Sequence, residues 1–203
     1  MNPVAMQMAS LTDEEKEETI AIHFRAIMET LGLDLTDPSL AKTPNRVARM
    51  YIREIFAGLK PENFPSMTLL EEDMHHPSGS HTIHTKVHFT SFCEHHFVPF
   101  VGFAHVAYVP QSKLLGLSKI PRLVRYFAAR PQLQERLTAQ IADALSLILE
   151  IPDVAVSLEA QHYCVIARGV ENTQSLTLTH TLRGQFHSDP LLRQEFMSHL
   201  KFD

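Results

Sequence analysis

The stretch HTIHTKVHFTSFCEHHFVPFVGFAHVAYVP, residues 81–110, decides how the rest of the chain is arranged. Near its start, Ile83, Val87 and Phe89 alternate with polar residues, which is the pattern of a half-buried β-strand. The segment GFAHVAYVP, residues 102–110, is expected to be a second strand. We therefore predict a hairpin whose connecting segment contains the sequence Cys-Glu-His-His.

Helical patterns come before the hairpin. Residues 12–31 begin with a Thr-x-x-Glu capping box and continue with apolar residues at helical spacing, and Gly32 suits the position after a helix. A second helix is expected to begin at Thr43, because Pro44 fits the first helical position, and to close at Gly58.

Two helices and two strands are expected after the hairpin. One helix starts near Ser118, and the next carries an apolar face made of Leu133, Leu137, Ile141, Leu145 and Ile148. The segments DVAVSLEAQHYCVIAR (153–168) and SLTLTHTLRG (175–184) are expected to be strands, and DPLLRQEFMSHL (189–200) a short closing helix.

The order of these elements predicts an α+β fold, with N-terminal helices followed by a ββααββ domain whose antiparallel sheet is backed by helices. With 203 residues the chain is long enough to bury a core of its own. We divide it into a helical segment at 1–60, an irregular connection at 61–80 and the ββααββ domain at 81–203.

Composition narrows the classes of function. Hydrophobic residues make up 44% of the chain and charged residues 20%, which is the balance of a globular protein. The net charge of -5 argues against a general affinity for nucleic acid or anionic membranes. No apolar run approaches the roughly 20 residues that span a bilayer, and the N-terminus lacks the layout of a signal peptide. We therefore expect a cytoplasmic protein with no membrane partner and no nucleic-acid partner.

The two cysteines lie in segments that also contain histidines. Cys93 and His96 have a spacing that lets one tight turn aim both side chains at one ion, and Cys164 would supply a third ligand. Three protein ligands leave a fourth position for water, which is typical of catalytic zinc, whereas a structural site needs a fourth cysteine or histidine. Two other interpretations stay open: both thiols are small buried apolar groups, or they form a disulfide.

The second cysteine segment carries further polar groups. If residues 162–168 form a strand, His162, Cys164 and Arg168 lie on one face, together with Ile166. Such a face offers a proton-transfer group, a metal ligand and an anion-binding guanidinium. His95 and His162 are the two candidates for proton transfer, because histidine titrates near working pH. The other histidines of residues 75–88 are interpreted as mostly solvated: His75, His76, His81, His84 and His88.

Basic residues mark a candidate anion site. Ser118 and Lys119 open a predicted helix and Arg122 follows one turn later, so a phosphate could bind at the helix N-terminus. The plain alternative is an ordinary capped surface helix. Glu135, at the start of the next helix, could complement the helix dipole or accept hydrogen bonds from a guanine-like pair of N–H groups.

Three long motifs, CEHHFVPFVGFAHVAYVP, GLSKIPRLVRYFAARPQLQERLT and EAQHYCVIARGV, closely resemble GTP cyclohydrolase I of the bacterial type. The resemblance runs from about residue 43 to the C-terminal FHSDP and RQEF sequences, and it weakens before residue 40. It implies the tunnelling fold, decamers of two face-to-face pentamers, and active sites between subunits. It also implies the conversion of GTP and water into 7,8-dihydroneopterin triphosphate and formate, the first step of folate and other pterin biosynthesis.

The resemblance also implies roles for individual residues. Zn²⁺ would be held by Cys93, His96 and Cys164. The catalytic histidines would be His95 and His162, and Ser118 would lie near the ribose. The triphosphate would be bound by Lys119, Arg122 and Arg168, with a contribution from Arg46. The guanine would be held by Gln134 and Glu135.

Other reactions and roles compete with this interpretation. Tunnelling-fold relatives include a pyruvoyl-tetrahydropterin synthase with histidine-only zinc ligands and a nitrile reductase with a cysteine nucleophile, and two cysteines with one histidine fit neither. A zinc nucleobase deaminase is disfavoured because its Pro-Cys-x-x-Cys signature is absent. A non-enzymatic scaffold with a structural metal would require a fourth protein ligand, for which the sequence offers no good candidate.

Overall fold

Helices precede and flank a central sheet in the computed structural model of the chain, which describes residues 11–71 and 81–200. The helices are α1 (Asp13–Thr30), α2 (Thr43–Met50), α3 (Lys119–Ala128), α4 (Gln134–Leu149), α5 (Tyr163–Ile166), α6 (Gln185–Ser188) and α7 (Pro190–Ser198). The strands are β1 (Leu69–Glu71), β2 (Ile83–Cys93), β3 (Pro99–Tyr108), β4 (Lys113–Leu115), β5 (Pro131–Gln132), β6 (Val154–His162) and β7 (Thr177–Leu182). Within the described residues, none of the helices combines the length and the apolar character needed to cross a bilayer.

The predicted first helix is confirmed. The Thr12 Oγ1 accepts a hydrogen bond from the Glu15 backbone N–H at 3.2 Å, and the Glu15 carboxylate accepts one from the Thr12 N–H at 2.7 Å. These two bonds make the expected capping box. Gly32 has a φ of +79°, so it ends the helix in a conformation that most other residues rarely adopt.

The second helix begins as predicted at Thr43 but ends differently. A π-helical turn over Tyr51–Ile55 continues α2, and Gly58 does not close it. Instead, the Gly58 N–H donates to the Ala129 carbonyl at 2.8 Å, and a Cβ at this position would lie 2.0 Å from the Tyr126 carbonyl oxygen. Glycine is therefore needed where the N-terminal helical segment approaches the end of α3.

The segment predicted as an irregular connection contains a short strand. β1 pairs antiparallel with β4 in a two-stranded sheet, with Leu69 opposite Leu115. Residues 72–80, with His75 and His76, lie outside the described residues. Two short apolar segments on either side of the hairpin are thus paired, although neither carries a long strand pattern.

The main sheet has the strand order β5-β2-β3-β6-β7, and its neighbours are antiparallel except for the parallel pair of β2 and β5. Helices α3 and α4 pack against one face of this sheet. The core between the layers includes Val87, Phe89, Ile120, Leu123, Val124, Leu137, Ile141 and Leu145. The predicted α+β class, the ββααββ order and the antiparallel sheet are confirmed.

The register of the sheet brings distant segments together. β3 lies between β2 and β6, and Phe100 is paired with Ser91 on one side and with His162 on the other. Cys93 is the last residue of β2 and His162 is the last residue of β6. The two cysteine-containing segments therefore meet at one end of the sheet.

The histidines of β2 differ from one another, and His84 is an exception to the interpretation that these histidines are mostly solvated. His88 is exposed, but the His84 ring packs 4.8 Å from the His199 ring and 5.7 Å from the His105 ring. The His84 Nε2 is buried and makes no hydrogen bond within the described part of the chain. Burial, reinforced by the neighbouring histidines and opposed by Glu195, lowers the pKa of His84 to about 4.

This histidine predicts a pH dependence of stability. Because the folded chain keeps His84 neutral, the unfolded chain binds its proton more readily as the pH falls from about 6.5 to about 4. The free energy of unfolding should therefore decrease over this window, and His84→Leu should make the decrease smaller. Urea unfolding at a series of pH values measures the effect. An equal decrease in the wild type and in His84→Leu would contradict it, and His187→Leu, on an exposed residue of α6, is the control.

Candidate metal centre and active site

A tight turn connects β2 to β3 and carries the first two candidate ligands. The Phe97 N–H donates to the Cys93 carbonyl at 2.8 Å, and the Cys93 N–H donates to the Val98 carbonyl at 2.9 Å. Phe97 has a φ of +53°, which is uncommon for a bulky residue. This turn leaves Cys93 buried at the end of the strand and His96 exposed beside it.

An ion pair anchors the same turn to α4. The Arg136 guanidinium donates to both carboxylate oxygens of Glu94, at 2.6 Å and 3.1 Å. Its hydrogen bond lowers the pKa of the Glu94 carboxyl. The Glu94 N–H also donates to the Gln132 carbonyl at 3.0 Å. Glu94 thus fastens the turn to α4 through Arg136, a residue that the sequence did not indicate because no pattern links it to the turn.

Cys164 reaches the turn from a helix. The prediction that residues 162–168 form a strand is wrong, because β6 ends at His162 and the chain continues into the short helix α5. The Cys93 and Cys164 thiols are nevertheless brought together with the His96 imidazole, with one potential ligand atom from each within 4.8 Å of the others. Both cysteines are free, so the disulfide alternative is wrong.

The donor set fits a divalent metal ion. Zinc binds thiolate sulfur at about 2.3 Å and imidazole nitrogen at about 2.0 Å, so its tetrahedral ligands lie roughly 3.5–4 Å apart. The Cys93 Sγ lies 4.0 Å from the His96 Nδ1. Burial, followed by the proximity of Cys93, raises the pKa of the Cys164 thiol. Two thiols are thus crowded at one point, where a cation would favour their thiolate forms.

His162 lies at the end of β6 with its ring held on two sides. It stacks on Phe100 with ring centroids 4.6 Å apart and planes inclined by only 2°. Its Nε2 lies 2.7 Å from the Oε1 of Gln134. Burial lowers the pKa of His162, while the negative charge of Glu135 opposes that shift. Glu135 is exposed, so the predicted guanine-binding carboxylate is open to solvent at the start of α4.

Gln134 is buried and hydrogen-bonded within the protein. It is only 2% exposed, and its Nε2 contacts the Leu158 carbonyl, the Thr177 carbonyl and the Thr179 hydroxyl at 3.0, 3.0 and 3.2 Å. The amide bonds to protein groups at both ends, so the expected contact with guanine would have to replace one of these hydrogen bonds. The first position of a helix gave no signal of this burial.

The predicted phosphate-binding residues fall into two groups. The Arg168 Nη1 lies 3.3 Å from the His96 Nε2, beside the metal group. Arg122 lines a different cavity of about 590 Å³, together with Phe92 and Arg125. Lys119 and Arg122, in the first turn of α3, make no ion pair with any residue that the structure describes. Ser118, Arg46 and His95 are exposed.

Comparisons with a family model and with curated protein sequences agree over nearly the whole chain. A family model described as GTP cyclohydrolase I matches residues 20–201. A protein named GTP cyclohydrolase 1 from Aeromonas salmonicida (strain A449) is 52% identical over 95% of this chain and 87% of its own. One of the same name from Vibrio cholerae serotype O1 is 50% identical over 97% of this chain and 89% of its own. A match to the crystal structure of the archaeosine synthase QueF-Like in the apo form covers 49% of this chain and 92% of that chain. The TM-score of this match is 0.41 and the sequence identity is 15%.

The ion pair at the turn predicts an effect on metal affinity. In Arg136→Met the Glu94 carboxylate loses its partner, so the turn that holds Cys93 and His96 should loosen. We expect the affinity for a divalent ion to fall about tenfold, the lower range for groups that support metal ligands. Competition between the protein and a chelator for Co²⁺ measures it. Arg183→Met is the control and should keep the wild-type affinity. It removes an ion pair with Asp143, which lies on α4 like Arg136.

Proposed function

The chain belongs to the GTP cyclohydrolase I family, and we propose from this premise that it converts GTP and water into 7,8-dihydroneopterin triphosphate and formate. This reaction is the first step of folate and other pterin biosynthesis. The observation that carries the proposal is the grouping of Cys93, His96 and Cys164 within 4.8 Å. His162, the last residue of β6 and two residues before Cys164, supplies a proton-transfer group at the same end of the sheet.

We further propose that the three clustered residues hold one Zn²⁺. No other His, Cys, Asp or Glu of the described residues joins the group, which supports an open fourth position and disfavours a purely structural metal. When bound, the ion supplies Lewis-acid activation of water near neutral pH. The protein's part is to keep Cys93 and His96 aimed through the hydrogen-bonded turn and to bring Cys164 onto them from α5.

The histidines carry the proton transfers in this proposal. His162 takes a proton from the water that adds at C8 of the guanine and passes it to N7 as the imidazole ring of the base opens. His95 is exposed on the turn beside His96, where it can serve the later ribose opening and rearrangement with Ser118. Stacking on Phe100 limits the motion of the His162 ring, so the ring nitrogen that transfers the proton is kept in one plane.

The remaining expected residues bind the two ends of GTP. Glu135 accepts hydrogen bonds from the guanine N–H groups, and adenine would leave its carboxylate poorly matched. Arg168, Lys119 and Arg122 hold the triphosphate through charge-assisted contacts, with Arg46 as an additional cation. The unpaired state of Lys119 and Arg122 within the described chain supports this role, because neither is occupied by a carboxylate.

Separation of the cationic groups supports a site shared between subunits. Arg168 lies beside the metal group, whereas Arg122 lines a cavity to which none of the metal-group residues contributes. We propose that neighbouring subunits complete each site in a homodecamer of two pentamers.

Two features of the surface support such an assembly. β7 is an edge strand of the sheet and can pair with another chain. Ile22, Ile27 and Leu31 of the N-terminal helix and its end are 60%, 53% and 71% exposed, which leaves an apolar surface for contact.

Turnover tests the proposal directly. The zinc-loaded protein mixed with GTP should release formate and form a dihydropterin chromophore. Cys164→Ser should lose both bound zinc and turnover while keeping its circular dichroism spectrum, because one of three ligands is removed. His187→Leu, outside the metal group, is the control. Absence of turnover in the zinc-replete wild type would overturn the function, and full zinc stoichiometry in Cys164→Ser would overturn the ligand assignment.

Binding of GTP and guanosine separates the two ends of the substrate. Glu135→Gln should weaken binding of both ligands by about tenfold or more, because a charged hydrogen bond contributes roughly 1.5–3 kcal/mol. Arg168→Ala should weaken binding of GTP and leave guanosine unchanged. Calorimetric titration in a His162→Ala background avoids turnover. Equal losses for GTP and guanosine in Arg168→Ala would contradict a triphosphate contact.

A further inference from the structure

The ring of His162 is constrained in its plane but needs a second contact to set its orientation. Phe100 is fully buried, and its ring lies parallel to the imidazole at 4.6 Å. A flat aromatic face restrains tilting, yet it does not distinguish one ring nitrogen from the other. The choice of the nitrogen that meets the substrate must therefore come from a hydrogen bond.

Gln134 provides that hydrogen bond. Its Oε1 lies 2.7 Å from the His162 Nε2, while its Nε2 faces the backbone carbonyls of Leu158 and Thr177 at 3.0 Å each. Carbonyl oxygens only accept, so both N–H bonds of the amide are directed to them. A flipped amide would set its oxygen against two carbonyl oxygens. The amide oxygen must therefore face His162, whose Nε2 must carry the hydrogen.

Two threonines fix the rest of this network. The Thr138 hydroxyl donates to the Gln134 backbone carbonyl at 2.7 Å, and it lies 2.6 Å from the Thr179 hydroxyl. Because the Thr138 hydrogen is already used, Thr179 donates to Thr138, and its oxygen lies 3.2 Å from the Gln134 Nε2 as a third acceptor that shares the two amide hydrogens with the carbonyls. Every donor in this hydrogen-bond network thus has an acceptor, and such a network holds the Gln134 amide in one orientation.

We propose that Gln134 is a positioning residue that keeps neutral His162 as the Nε2–H tautomer, leaving Nδ1 as the nitrogen that exchanges a proton with the substrate. The inference rests on the proposed function of His162 in proton transfer. The His162 Nδ1 has no hydrogen-bond partner among residues 11–71 and 81–200, as a nitrogen reserved for substrate requires. Gln134 acts through His162 and makes no side-chain contact with guanine.

The burial of Gln134 supports a role in orienting His162 rather than in contacting the substrate. Gln134 is 2% exposed, whereas the adjacent Glu135 is exposed. A guanine contact would require the amide to abandon its carbonyl acceptors, which would leave buried polar groups unpaired. Glu135 can meet the base without such a loss.

Nitrogen-15 NMR of histidine-labelled, zinc-loaded protein tests the tautomer without turnover. Subtracting the spectrum of His162→Gln identifies the His162 signals, and magic-angle spinning suits a large assembly. We expect a protonated Nε2 and an unprotonated Nδ1 in the neutral wild type. Gln134→Met, which removes the oxygen acceptor, should give a mixture of tautomers. A wild-type His162 protonated at Nδ1 would overturn the proposal, whether or not the variants fold.

Kinetics of a double-mutant cycle test the action through His162. Gln134→Met should lower kcat about 100-fold, the lower range for positioned acid–base catalysis, with KM changed less than about threefold. In a His162→Ala background the same substitution should have almost no effect. Gln185→Met, the same substitution at a glutamine whose amide bonds to Asp153 and not to His162, should stay within about threefold of wild type. Equal losses in both backgrounds, or a loss confined to KM, would overturn the proposal, whereas an inactive wild type would overturn the function itself.

Discussion

The pairing of one residue with two strands is the constraint on which the site depends. Phe100 of the central strand β3 lies opposite Ser91 of β2 and opposite His162 of β6. Cys93 follows Ser91 by two residues, and Cys164 follows His162 by two. Since a slip of one residue reverses the face of every side chain in a strand, the buried core that sets this register also sets the meeting point of the two thiols.

Both strands leave the sheet through tight local structures at this point, and each turns a ligand toward the other. β2 ends in a turn that contains Phe97 at positive φ, while β6 ends in the helical turn α5. The first turn is fastened to α4 through Glu94 and Arg136. A metal site needs ligands whose own positions are restrained, and here the restraint comes from a sheet edge and a packed helix rather than from long loops.

The elements of the core could be predicted from local patterns, whereas the site required contacts between distant segments. Alternation identified β2 and helical spacing identified α4, because β2 buries one face against α3 and α4 buries one face against β6 and β7. The strand prediction for 162–168 failed because alternating polar residues can face one side of a strand or the turns of a short helix, and only tertiary packing distinguishes them. The burial of His84 was hidden for the same reason, since its cover comes from α7, more than a hundred residues away.

Two adjacent residues at the start of α4, Gln134 and Glu135, have different functions in the proposed site: one orients His162 and the other binds the base. Neighbouring positions on a helix point about 100° apart, so Gln134 can enter the core while Glu135 faces outward. The buried amide is held by carbonyls of β6 and of the residue that begins β7, and it orients His162. The exposed carboxylate acts on the same imidazole through its charge. A base bound to Glu135 would therefore be held relative to the histidine by a single rigid element, the helix α4 that carries both Glu135 and Gln134.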